Sequence, residues 1–304
     1  MYLDTFKQLI IHTQDFTNWI YFKKNTSHTI KFSLLEEKEK IYNSDAILYF
    51  WPNSKYEAIF HLKHIFSQLN KEKNFFLVGK KNSGINTAKN LLKKWVILKK
   101  IDSAKHCLLF YGKIISKPNF QLDQFIHNIN WNQIKIQTIP GIFSYKKIDL
   151  GSKLLISTFE KSITGDILDI GCGSGILSVS LAQYSKKNKF FLIDTNMAAL
   201  KSSELTLKCN NVKGKIFPSN VYSHICKKFD FIMSNPPIHK NSKINLNYVS
   251  EIIRKSEKYL KSKGEIRIVV SSNIFCDKYF KDTKLKYKIL KEKNNFRVYQ
   301  GKKY

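Results

Sequence analysis

At 304 residues the chain is long enough for two domains of the usual ~100–200 residues, and 43% hydrophobic residues suffice for packed cores. No apolar run approaches the roughly 20 residues that span a bilayer. Met1 to Ile11 carries Asp4 and Lys7 and lacks the features of a secretory leader, so the expected location is the cytoplasm. Basic residues outnumber acidic ones 52 to 23, and a net charge of +29 favours polyanions such as nucleic acid. Only Arg254, Arg267 and Arg297 are arginines, and Asn, Ile and Phe are abundant, a pattern that AT-biased coding also produces. Cys107, Cys172, Cys209, Cys226 and Cys276 are scattered without a CxxC pair, and there is no HExxH, so neither a disulfide framework nor a metal site is expected. His61 and His64 have helical spacing and read as a solvated helix face.

The first half reads as mixed α/β. Ala46–Trp51, Phe75–Val78 and Cys107–Ile115 are strand candidates. Tyr56–Leu69 and Ile85–Trp95 have helical periodicity, and the alternation implies a parallel sheet. Gly79-Lys80-Lys81-Asn82-Ser83-Gly84 is a turn, because no Gly-Lys-Ser/Thr closes it as a P-loop. No acid, base or nucleophile constellation occurs here. The pattern breaks at Lys117-Pro118-Asn119 and again at Pro140-Gly141, which sets a boundary near residue 130 and domains of 1–130 and 131–304.

The second half is more regular. Strands are expected at Asp166–Ile170, Phe190–Ile193, Phe229–Ser234, Ile266–Val270 and Phe296–Gln300. Helices are expected at Leu177–Gln183, Met197–Cys209 and Tyr248–Leu260. This is the alternation of a doubly wound, mostly parallel sheet, whose ligands sit at the carboxyl ends of the strands.

Four elements at such ends carry chemistry. Asp169-Ile170-Gly171-Cys172-Gly173-Ser174-Gly175 joins a strand to a helix with GxGxG spacing, not the GxGxxG of dinucleotide binders. Gly171, Gly173 and Gly175 let a ligand lie against bare backbone, and Asp169 suits an ammonium. Asp194 falls about 20 residues on, where a carboxylate grips ribose hydroxyls; capping the next helix is its other use. Ser219-Asn220 ends a third strand, where Asn220 reaches an adenine edge or serves only as a turn residue. Asn235-Pro236-Pro237 follows the fourth strand. There the Asn235 amide oxygen and a backbone carbonyl held by Pro236 and Pro237 can accept from a planar exocyclic NH₂ and present its lone pair to an electrophilic methyl.

Together these motifs resemble the amino-methylating class I methyltransferases. Pro140-Gly141-Ile142-Phe143-Ser144, Asp149-Leu150-Gly151-Ser152, Ser219-Asn220-Val221 and Phe296-Arg297-Val298-Tyr299 narrow the resemblance to the ribosomal RNA small subunit methyltransferase C family. Tyr49-Phe50-Trp51-Pro52 and Asp102-Ser103-Ala104 extend it over the first half. The resemblance implies a class I (Rossmann-like) domain preceded by a diverged methyltransferase-like α/β domain without a cofactor site. It implies S-adenosylmethionine as cofactor, with Phe143 and Ser144 beside it, and methylation of the exocyclic N2 of a guanosine in 16S rRNA. The implied partner is the small ribosomal subunit, with no membrane, no metal and a monomeric enzyme. Two places depart: where the family carries an aromatic residue that stacks on the target base, this chain has Ile238, and Lys240-Asn241 stands where the family has an acidic-Gly pair.

Two other readings stand beside this one. A protein-glutamine methyltransferase also uses an Asn-Pro-Pro turn, although that class has an aromatic residue at position 238 and a helical first domain. A catalytically weakened rRNA-binding or assembly factor would account for Ile238 and the basic surface, but not for retention of Asp169, the glycines, Asp194 and Asn235.

Overall fold

The computed structural model describes residues 8–70, 73–237, 239–240, 243–244 and 246–304. In chain order the elements are β1 (Ile10–Thr13), α1 (Phe16–Asn25), β2 (Thr29–Phe32), α2 (Lys38–Asn43), β3 (Ala46–Phe50), α3 (Lys55–Gln68), β4 (Asn74–Lys80), α4 (Ala88–Leu92), β5 (Val96–Ala104) and β6 (Cys107–Ile114). They continue with β7 (His127–Trp131), β8 (Ile134–Thr138), α5 (Leu150–Ile156), β9 (Asp166–Ile170), α6 (Ile176–Ala182), β10 (Lys189–Asp194), α7 (Met197–Cys209), β11 (Gly214–Pro218) and β12 (Phe229–Ser234). The last are β13 (His239–Lys240), β14 (Lys243–Ile244), α8 (Leu246–Tyr259), β15 (Leu260–Ser271), α9 (Asp277–Lys281), β16 (Lys286–Lys293) and β17 (Phe296–Lys302).

The chain forms two compact units, residues 33–126 and residues 127–304 joined by the segment up to Phe32. The segment up to Phe32 thus packs with the larger unit, and a second division falls at residues 126–127. The reason is local. Phe16 N–H donates to the Thr195 carbonyl at 2.8 Å and Met197 N–H to the Gln14 carbonyl at 2.9 Å. The buried Phe16 ring stacks on Trp19 and meets Phe32 and His224 with centroids 5.0–5.5 Å apart. Helix α1 starts at Asp15, whose carboxylate accepts from the Thr17 and Asn18 amides.

In the larger unit a seven-stranded sheet has the order β11-β10-β9-β12-β15-β17-β16. The first five strands are parallel, and β17 runs antiparallel to both neighbours. Alternate residues enter opposite cores. Ile167, Leu192 and Met233 pack with α5, α6 and α7 on one face, and Leu168, Ile193 and Ile232 pack with α8 and α9 on the other. Burial on both faces is why these strands read as apolar runs.

The smaller unit corrects the expectation of a parallel sheet. Its four strands have the order β3-β4-β6-β5, and only β3 and β4 are parallel. Strand β5 pairs with β6 as a hairpin, with Lys105 and His106 in the left-handed region at its turn. The expected helix Ile85–Trp95 is a 3₁₀ turn followed by the five-residue α4. Of the expected turn Gly79–Gly84, Gly79 and Lys80 end β4, and Lys81–Ser83 form a 3₁₀ turn closed by Gly84 at φ 83°. His61 and His64 are half-buried, not a solvated face. The His61 ring bonds the Tyr49 hydroxyl at 3.0 Å, and the His64 ring bonds the Glu36 carbonyl at 2.8 Å, with burial holding the His64 pKa below its usual value.

Replacing Phe16 by Ala removes a buried ring that ties the N-terminal segment to the larger unit. The substitution is expected to cost about 3 kcal/mol, seen as a lower denaturant midpoint with an unchanged slope.

Candidate active site

Four neighbouring parallel strands end side by side, so their C-terminal loops form one rim in the order β11, β10, β9, β12. After β9 the chain turns sharply into α6 through Gly171, Gly173 and Gly175, with φ of 70°, 54° and 75°. Gly171 and Cys172 donate their amides to the Ile193 carbonyl at 2.9 and 3.0 Å, and Gly173 donates to Asp194 Oδ2 at 3.1 Å. A Cβ at Gly171 would find nothing nearer than the Tyr248 hydroxyl at 3.7 Å, and at Gly173 nothing nearer than 4.0 Å. The first two glycines thus face a shallow cradle. The third packs: a Cβ there would press on Ser203 and Leu207 of α7 at 3.2 Å.

Two carboxylates flank this loop. Asp169 is fully buried; its Oδ2 accepts from the Ser178 hydroxyl at 2.7 Å, while its Oδ1 has no hydrogen-bond partner among the described residues. Desolvation, with a contribution from Asp194, pushes the Asp169 carboxyl up to about 7. Asp194 accepts from the Asn196 amide at 2.9 Å as well as from Gly173, and burial raises its pKa too. Helix capping falls to Asn196, whose side chain accepts from the Ala198 amide at 2.7 Å. The Thr195 amide also bonds the Asp194 carboxylate, which retains acceptor capacity beyond its three backbone bonds. Tyr248, which the sequence did not single out, brings its hydroxyl to the Gly171 end of the loop, where burial and Asp194 raise its pKa.

Asn220 follows β11 in a tight turn. Its amide donates to the Ser223 hydroxyl at 3.0 Å, and the next residue, the buried Val221, sits at φ 50°. A β-branched residue in the left-handed region is strained, and such strain concentrates at functional sites. Phe143 is 68% exposed, and Ser144 lies at φ 56°. Their loop is tethered to the β10 end of the rim, because Asn196 Nδ2 donates to the Gly141 carbonyl at 3.2 Å and the Ile139 amide donates to the Ser202 hydroxyl at 3.0 Å.

Asn235 leaves β12 beside β9, where the Ser234 hydroxyl donates to the Ile170 carbonyl at 2.8 Å. The Asn235 Nδ2 donates to Asp149 Oδ2 at 2.5 Å and to the Ser152 hydroxyl at 2.9 Å. A carboxylate only accepts, so the amide nitrogen must face it and the amide oxygen must face away. Asp149 is also the N-cap of α5, accepting from Gly151 at 3.0 Å and Ser152 at 2.7 Å. An Asp ahead of an apolar helical run signals a cap, but nothing in the sequence pairs residue 149 with residue 235. Pro236 and Pro237 continue along the rim. Ile238 lies outside the described residues.

The methyltransferase small domain model matches residues 133–300, and the methyltransferase small domain N-terminal model matches residues 3–129. A ribosomal RNA small subunit methyltransferase C from Buchnera aphidicola subsp. Baizongia pistaciae is 50% identical over 96% of this chain and 90% of its own length. The protein of that name from Erwinia tasmaniensis is 35% identical over 96% and 86%. The chain belongs to the ribosomal RNA small subunit methyltransferase C family. Among solved structures, the T. thermophilus 16S rRNA N2 G1207 methyltransferase in complex with AdoMet and guanosine matches with a TM-score of 0.81 at 16% identity, over 97% of this chain and 82% of that one. That likeness extends the shared fold over both halves of this family member.

Asp169 holds its proton more tightly folded than unfolded. Its contribution to stability is therefore present below the unfolded value of about 4 and is lost as pH rises through about 7. In the cofactor-free protein, Asp169→Asn is expected to raise the melting temperature at pH 8 and to change it little at pH 5. Equal shifts at both pH values would contradict a buried charge as the cause.

Proposed function

We propose that this chain transfers a methyl group from S-adenosylmethionine to the exocyclic N2 of a guanosine in 16S rRNA, the reaction named for the T. thermophilus relative, and at the same nucleotide, G1207. The observation that carries the reading is the Asn235 amide, held with its oxygen as the group offered at the rim beside the open glycine loop.

The residues present fit the cofactor. The unpartnered Asp169 Oδ1 suits an ammonium. Asp194 keeps acceptor capacity for a ribose hydroxyl, Asn220 follows β11 on the same rim, and Phe143 and Ser144 sit on the loop tethered to the same corner. When bound, S-adenosylmethionine supplies an electrophilic methyl group on a sulfonium. The chain's own task is to hold the acceptor. Asn235 Oδ1 and a backbone carbonyl of the Asn-Pro-Pro turn accept the two N–H bonds of the amine and turn its lone pair toward the methyl carbon. Methyl transfer would leave the cofactor as its neutral thioether, and the acceptor nitrogen, held by these oxygens, would shed its proton to water. Such positioning is worth up to about 7–11 kcal/mol in well-oriented systems, and no strong base is needed.

The net charge of +29 supports a polyanionic substrate, with affinity falling as salt rises. At position 238 an aliphatic side chain forgoes the stacking of an aromatic one, about 1–3 kcal/mol per base. Residues 33–126, with a parallel β3–β4 pair joined through α3, supply the diverged methyltransferase-like domain.

Labelled methyl from S-adenosylmethionine is expected to enter small ribosomal subunits and map to guanine N2. Naked rRNA, DNA and release-factor protein serve as comparisons, and label confined to the protein would overturn the assignment. Asn235→Ala should lower kcat by about 10³-fold while cofactor Kd stays within about threefold. Cofactor affinity should rise about tenfold from pH 6 to pH 8 as Asp169 ionises through about 7, and Asp169→Asn should flatten that rise.

A further inference from the structure

We infer that Asp149 sets the orientation of the catalytic amide and makes an amide, not a carboxylate, the required group at position 235, with Ser152 as the second anchor. The inference rests on the transfer reading above and adds two positioning residues to it.

A terminal amide rotates between two orientations of nearly equal shape. In one, Asn235 offers its oxygen to an incoming amine; in the other it offers N–H against N–H and repels the substrate. The choice lies with Asp149 and Ser152. Asp149 Oδ2 accepts one Asn235 N–H at 2.5 Å, and Ser152 Oγ accepts the other at 2.9 Å, across 86 and 83 residues of sequence. Both amide protons are then used inside the protein, so only the oxygen is available to substrate. Asp149 itself receives donors alone, from Gly151, Ser152 and Asn235. Its charge lies at the N–H end of the amide and polarises it, which strengthens the oxygen as an acceptor when positive charge develops on the attacking nitrogen. The side of the amide oxygen is kept open by Gly151, where an added Cβ would come within 3.3 Å of Asn235 Oδ1.

The same geometry excludes Asp at position 235. Two carboxylates at this distance cannot both be ionised. They would have to share a proton or separate, and separation swings the 235 side chain out of place. The charge is therefore divided between two residues: the carboxylate stays behind, at 149, and the neutral amide faces the substrate.

Variants of the full-length protein test this with small subunits as acceptor, reading kcat, KM, cofactor Kd and melting temperature. Asp149→Asn retains a capping oxygen but lacks the charge. It is expected to lower kcat by about 10–100-fold with KM and cofactor Kd within about threefold. Ser152→Ala should lower kcat by about tenfold, and Ser152→Thr, which restores the hydroxyl, should recover most of it. Asn235→Asp should be inactive at neutral pH. Combined with Asp149→Asn, which lets the amide at 149 donate to the carboxylate at 235, it should regain at least about tenfold over Asn235→Asp alone. Unchanged kcat in Asp149→Asn and Ser152→Ala, or no recovery in the double variant, would overturn the inference, as would losses that track melting temperature instead of appearing in kcat. If the wild-type protein methylates nothing, the parent reading falls separately. The lock is then read from denaturation, where non-additive effects of Asp149→Asn and Asn235→Ala support it and additive effects overturn it.

Discussion

The active rim depends on β9 being parallel to both of its neighbours and buried on both faces. A parallel pair cannot be joined by a tight hairpin, so each strand must return through a crossover, and both faces of the sheet acquire helices. All five parallel strands then end on the same side. The loops after β9, β10, β11 and β12 become neighbours although they span residues from Asp169 to Asn235. The backbone bonds from Gly171 and Cys172 to Ile193 hold the first two loops together, and the Ser234 bond to Ile170 holds the fourth against the first.

Electrostatics at this rim are arranged for a ligand at the expense of the empty protein. Asp169 is fully buried and Asp194 half-buried at one loop, and desolvation raises the cost of ionising both. Only backbone amides and one hydroxyl offset that cost, and one oxygen of Asp169 is left without a donor. The left-handed Val221 and Ser144 add backbone strain at the same rim. On the proposed reading, an ammonium beside Asp169 relieves the first of these penalties. The charge on Asp149 is handled differently. Three donors meet it, and one of them is the Asn235 amide.

Much of the larger unit was legible because its strands are apolar runs set between glycines and polar turns. Helix α7 and strands β9 and β12 fall at the expected residues, and the other expected strands differ by extensions at their ends. The smaller unit was harder to read. There β5 carries Lys99, Lys100 and Asp102 on a mostly exposed strand, so no apolar run marks it, and its hairpin with β6 escaped notice. The half-burial of His61 and His64 likewise depends on Tyr49 and Glu36, which lie on other elements and leave no trace in helical spacing.

By itself the sequence determined the chemistry: glycines where φ must be positive, carboxylates at strand ends, an amide followed by two prolines, and a family pattern that runs through both halves. These are local properties, set by backbone sterics and by which residue types can accept or donate. Only the tertiary structure decided that the N-terminal segment joins the larger unit through Phe16, that Tyr248 approaches the glycine loop, and that Asp149 and Ser152 hold Asn235. Those pairings join residues between about 80 and 210 positions apart along the chain, and they exist because helices packed on one sheet bring distant positions within hydrogen-bond reach.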